Sequence, residues 1–238
     1  MKTILAVVIL SLGLAFFFPY LVESKQQKQQ ILSATVMITI TTPNWQEEAN
    51  TTGEALPIPN DEYRSMARAE GKVITDGLGT VVADEDSLLL VTHDHWSHLD
   101  EALGTVTLRA ADGAWLADME LPDFRKHTRS RNGGLLVLDA PDVLKTDGRY
   151  AALAHQSASP ADGDRGLLAQ REGDKVVLNE ITVIGSAEKV GLPVVRLQSL
   201  DSRPVVGGDS GGGLWVNGRL AAVMWTAVML EYESSGIR

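Results

Sequence analysis

The stretch "VVGGDSGGGLWVNGRLAAVMW", Val205 to Trp225, decides how this chain is to be read. Ser210 lies inside a glycine run, "GGDSGGG", from Gly207 to Gly213. A serine hydroxyl is a weak nucleophile until a base takes its proton and backbone N–H groups hold the oxyanion that develops. Glycines on both sides let the backbone turn tightly and let a substrate carbonyl approach. The same composition also suits a glycine-rich hairpin loop with an incidental serine. The residues downstream favour the nucleophile: an apolar run, the pair Asn217-Gly218, and a second apolar run. Asn-Gly tolerates the positive φ of a tight turn, so "GGLWVNG" and "RLAAVMWTAV" read as a strand, a turn and a strand.

Strand candidates extend upstream. "SATVMITITT" (Ser33–Thr42) is rich in β-branched residues and partly alternates. From Lys72 on come "KVIT", "LGTVVA", "SLLLVT", "GTVTLRA", "AWLADMEL", "GLLVLDA", "RGLLA", "KVVLNEITVIG" and "LPVVRLQSL", split by Gly, Asp and Asn. Asp112-Gly113 reads as another tight turn. No long helical periodicity is visible after residue 72. Many short strands at this spacing predict an all-β barrel or sandwich. One short helix is expected in "DEYRSMARAEGK" (Asp61–Lys72), closed by Gly71, inside a polar insertion over residues 43–71.

The chain has 238 residues and is 44% apolar, enough for one domain with a real core or two lobes sharing a cleft. A net charge of −10 argues against a nucleic-acid partner. There is no cysteine, so neither a disulfide nor a thiolate is on offer. At the N-terminus Lys2 precedes an uncharged stretch of 19 residues, Ile4 to Val22. That length about covers a bilayer core of roughly 30 Å. Residues 1–24 are therefore expected to form a hydrophobic helix, either a transmembrane anchor or a cleaved signal peptide. Residues 25–30 read as a polar tether. Residues 31–238 are the folded domain, expected outside the cytoplasm, with the membrane as a partner if the segment is retained.

A second stretch concentrates chemistry: "LLLVTHDHWSHLD", Leu88 to Asp100, holds three histidines and two aspartates behind an apolar run. Together with "GGDSGGG" it resembles the chymotrypsin-like serine proteases, and among them the cysteine-free bacterial HtrA-type domains. That family carries its nucleophile in Gly-Asp/Asn-Ser-Gly-Gly, followed by a strand, a turn and a strand. Its base histidine follows a strand in the form apolar-apolar-Thr-x-x-His, which "LVTHDHW" matches. "GLGTVVADEDSLLL" before it is similar to the family's Gly-x-Gly strand and the strand leading to the histidine. The resemblance implies two six-stranded Greek-key β-barrels after the N-terminal helix, a protein or peptide substrate, and no cofactor. It implies Ser210 as nucleophile, His95 as base with His93 second, and the N–H groups of Gly208 and Ser210 as the oxyanion hole. The specificity pocket would fall at residues 203–206 and 225–227, neither of which holds an acidic residue.

The chain departs from the pattern twice. Gly213 stands where the family usually has proline. Asn132, opening "NGGLLVL", stands where the family has the aspartate that orients the histidine. Asparagine can hold an imidazole but brings no negative charge. It leaves three outcomes open: a slow enzyme, a shifted register in which Asp123 or Asp139 serves, or a binding module that keeps the fold without useful activity. A different reading of the histidines also stands. Thr92, His93, His95 and His98 are similar to the Thr-His-x-His-x-Asp-His of metallo-β-lactamase-like hydrolases, with Ser97 at the aspartate position. A zinc site needs three or four ligands, and only His127 and His155 remain downstream. In the protease reading His93 and His98 are surface histidines beside the base.

Overall fold

The computed structural model describes residues 25–43, 68–69, 72–84, 87–94, 104–132, 134–152, 160–189, 192–200 and 208–224. Helical residues 25–34 (α1) lead into β1 (Thr35–Pro43), β2 (Arg68–Ala69), β3 (Lys72–Asp84), β4 (Ser87–His93), β5 (Thr105–Ala110) and β6 (Trp115–Glu120). Then come α2 (Leu121–Lys126), β7 (Thr128–Asn132), β8 (Leu135–Asp139), α3 (Asp142–Asp147) and β9 (Ala151–Ala152). The last group is β10 (Arg165–Glu172), β11 (Lys175–Lys189), β12 (Leu192–Ser199), β13 (Gly213–Val216) and β14 (Arg219–Val223).

These strands form two sheets. The first runs β6-β5-β1-β3-β4-β8-β7, with β2 and β9 added to β3; the second runs β12-β11-β10-β13-β14. Pairing is antiparallel apart from β9 on β3. The period-2 alternation of β1 builds two cores at once. Val36, Ile38 and Ile40 face inward with Val81, Leu90, Val106, Leu108, Leu136 and Leu138. Met37, on the opposite face, packs with Leu78 of β3, Ala169 of β10 and Val176 of β11. This second cluster clamps β3 of the first sheet to β10 of the second. Burying one such side chain contributes roughly 1.5–3 kcal/mol. The Asn-Gly turn forms as expected: Asn217 (φ 50) and Gly218 (φ 74) join β13 to β14. So does Asp112-Gly113 between β5 and β6, where the Gly113 N–H donates to Ala110 O at 2.9 Å.

Several local expectations are corrected. Residues 25–30, read as a polar tether, form the first part of α1. Lys and Gln are good helix formers, and the helix is held by its C-terminal half. Ile31 and Ala34 are buried with Trp215 against Leu167, Leu178 and Leu220, and Lys28 pairs with Glu180 at 3.4 Å. Arg68–Ala69 is not helical; it pairs as β2 with Lys72–Val73 of β3. β3 is one strand through Asp76-Gly77, because β1 pairs with it continuously from Lys72 to Thr80. Among the described residues, two helices interrupt the strands after residue 72. α2 buries Leu121 and Phe124, and α3 buries Leu144, both in the first core. Among the described residues no helix is long and apolar enough to cross a membrane. The stretch Ile4–Val22 and most of residues 44–71 lie outside the described residues.

Candidate active site around Ser210

Ser210 sits in the loop that feeds β13, and backbone contacts fix its place. Leu78 of β3 donates its N–H to Ser210 O at 2.7 Å. Gly211 N–H donates to Met224 O at 2.8 Å, and Gly212 N–H to Asp209 O at 3.0 Å. Gly208 (φ 95) and Gly211 (φ 85) both occupy the left-handed region, where a side chain is strained. Space adds to the constraint at Gly211. A Cβ there would stand 1.9 Å from Leu78 O and 2.5 Å from the Thr92 hydroxyl. Gly211→Ala should therefore destabilise the fold by about 3 kcal/mol, combining overpacking with a strained φ. Urea denaturation of the two chains measures this, and a shift below about 1 kcal/mol contradicts so tight a loop.

Thr92 ties this loop to the histidine stretch. Its hydroxyl donates to Leu78 O at 2.5 Å, so Leu78 is bonded to Ser210 on one side and Thr92 on the other. Thr92 precedes His95 by three residues. Just past β4, Asp94 N–H donates to Gly134 O at 2.9 Å, joining the chain that leads to His95 to the turn after Asn132. Asn132 ends β7 and pairs with Leu135 of β8, which in turn pairs with His93. Thr92 and the Ser210 loop thus meet at Leu78, while Gly134 joins the chain at Asp94, two residues beyond Thr92. His95 and His98 lie outside the described residues, as do the segments expected to line the specificity pocket.

His93 is not a surface histidine. It is 4% exposed at the end of β4, and burial pushes its pKa from 6.5 down to about 4. The folded chain disfavours the charged ring, so His93 is neutral at pH 7. The unfolded chain takes up the proton from about 6.5 downward, and the folded chain only near 4. Stability is complete above 6.5 and falls as pH drops from 6.5 to 4, by about 3 kcal/mol. His93→Leu should lack this component. Denaturation between pH 7 and pH 4 should show the native chain losing about 3 kcal/mol more than the variant; equal losses contradict the burial.

Asp139 and Asp123, the carboxylates of the shifted-register alternative, both lie among the described residues. Asp139 pairs opposite Leu89 while Leu135 pairs opposite His93. Four residues of strand separate those positions, about 13 Å. Asp123 is exposed on α2 and paired with Lys126 at 2.6 Å. Asp94 is the nearer group: its side chain is 12% exposed, with the Arg131 guanidinium 3.7 Å away. The other departure has a packing cause. A Cβ at Gly213 would fall within 3 Å of the Trp215 indole nitrogen, Thr80 Oγ1 and Leu220 Cδ1, which leaves no room for a proline ring.

One contact set has no signature in the sequence. Asp209, fully buried, accepts from Gln170 Nε2 at 3.0 Å and from the Arg171 N–H at 2.6 Å. Gln170 Oε1 in turn accepts from Asn179 Nδ2. Gln170 and Asp209 are 39 positions apart, and a lone amide in an apolar strand carries no local signal.

Among solved structures, the chain is similar to the inactive form of the Rv3671c protease. The TM-score is 0.51 at 15% identity, covering 88% of this chain and 85% of that one. The fold is the chymotrypsin-like double β-barrel. A second Rv3671c structure, from M. tuberculosis H37Rv, gives a TM-score of 0.47 at 14% identity over 83% of this chain and 76% of that one. Deg5 gives 0.49 at 15% identity over 84% and 82%. No protein-family model matches the sequence, and no curated protein sequence matches it. In chymotrypsin-like terms the two sheets are the two barrels, and Leu78 stands between them at the Ser210 loop.

Proposed function

We propose that this chain is a serine endopeptidase. The carrying observation is the junction at Leu78, which draws the Ser210 loop and the strand end leading to His95 into one place. In the reaction, Ser210 Oγ attacks the peptide carbonyl while His95 takes its proton. The N–H groups of Gly208 and Ser210 hold the oxyanion. His95 then gives the proton to the leaving amine, and water, activated by the same ring, releases the acyl group. Asn132 orients the imidazole. Water and the peptide are the only reactants this mechanism calls for. The substrate is a protein or peptide, in keeping with the protease of similar fold. The uncharged stretch at residues 4–22 puts the domain outside the cytoplasm, held at the membrane or released from it.

The test is incubation of the full chain with an unfolded protein, and then mass spectrometry of the products. Internal cleavages that stop after fluorophosphonate treatment support the reading. Intact substrate together with no fluorophosphonate reaction favours the binding module that Asn132 also allows.

A further inference from the structure

The loop that carries Ser210 contains a carboxylate the reaction does not use. Asp209 lies between Gly208 and Ser210, the two residues proposed as oxyanion donors, and is 0% exposed. A buried carboxylate is costly unless its lone pairs are met. Here they are met by groups of one strand. β13 pairs with β10 at Gly166, Leu167 and Leu168. Beyond the end of that ladder, the Arg171 N–H goes to Asp209 Oδ1 at 2.6 Å. The Gln170 side chain, 1% exposed, donates to Asp209 Oδ2 at 3.0 Å. Asn179 of β11, 8% exposed, donates to Gln170 Oε1 and so fixes which way the Gln170 amide points. A shared, oriented network of this kind holds a single arrangement, because any rotation leaves a buried polar group unmet.

We propose that Asp209, Gln170 and Asn179 form a buried lock that sets the direction of the Gly208 and Ser210 N–H groups. Gln170 and Asn179 are positioning residues that touch neither substrate nor Ser210 in this scheme. They act through Asp209, whose own backbone lies between the two donors. Gln170 and Asn179 both lie on strands of the second sheet, β10 and β11. This inference rests on the reading of Ser210 as nucleophile.

The test compares three full-length variants with the native chain: Gln170→Leu, Gln170→Glu, and the double variant Asp209→Asn/Gln170→Glu. The first removes the donor. The second sets two carboxylates against each other. The double variant moves the charge across one hydrogen bond, from position 209 to position 170, and keeps the three hydrogen bonds described above. Its new amide oxygen at position 209 accepts from Arg171 N–H, its amide nitrogen donates to the carboxylate at 170, and that carboxylate accepts from Asn179. The rate of fluorophosphonate labelling is measured on folded protein, with the urea midpoint recorded beside it. Each single variant should label about 100-fold or more slowly, on the order of losing one oxyanion donor. The double variant should return to within about tenfold of native. Single variants that are folded yet label at the native rate overturn the lock, as does a double variant no faster than Gln170→Glu. A native chain that does not label at all overturns the Ser210 reading instead, and the lock with it.

Discussion

Ser210→Ala should abolish hydrolysis, lowering kcat by about six orders of magnitude, the scale seen when a serine protease loses its nucleophile. The substitution removes one oxygen and nothing that holds the loop. The bond from Leu78 N–H goes to the backbone carbonyl of Ser210. Asp209 keeps its partners on β10, and the glycines on either side keep their conformations. The urea midpoint should therefore stay within about 0.5 kcal/mol of native. Turnover of a peptide substrate and the denaturation curve are measured on the same preparation. Hydrolysis that survives the change would identify a different nucleophile, and a large loss of stability would mean that the hydroxyl is a structural anchor.

Asn132→Asp should raise kcat/KM at neutral pH, by as much as about four orders of magnitude. In serine-histidine-aspartate enzymes the opposite replacement costs about that much, because asparagine favours the wrong tautomer and leaves the imidazolium without a counter-charge. Asn132 ends β7 and pairs with Leu135, and the adjoining turn accepts the N–H of Asp94, next to His95. An unchanged or lower rate would show that another residue orients the histidine, with Asp94 the first to be tried.

The glycine-rich Ser210 loop and its hairpin are legible in the sequence because their signals are local. Gly-rich chemistry, an Asn-Gly turn and two apolar runs lie within some twenty residues. Strands β1, β4, β5 and β8 of the first sheet are legible for the same reason, since β-branched alternation such as that of β1 is a short-range pattern. The helices α2 and α3 are not, because six residues hold fewer than two turns and give no periodicity. Their signals are capping ones: Pro122 in the first turn of α2, and Gly148 in the left-handed region closing α3. The polar half of α1 hides the Ile31 and Ala34 face that packs on Trp215, so the segment reads as a tether. His93 reads as exposed because its neighbours are polar, whereas at the end of β4 it is buried. Asp209 shows the same limit at the site itself. A charged residue in a glycine loop suggests solvent, and only the end of the β10–β13 ladder explains why it is buried.

The most direct measurement is to map the fluorophosphonate adduct on the native chain and on His95→Ala by peptide mass spectrometry. The account expects stoichiometric modification of Ser210 in the native chain, and labelling slowed by several orders of magnitude when the histidine is removed. Labelling of Ser210 at equal rates in both chains, or modification of some other residue, would contradict it.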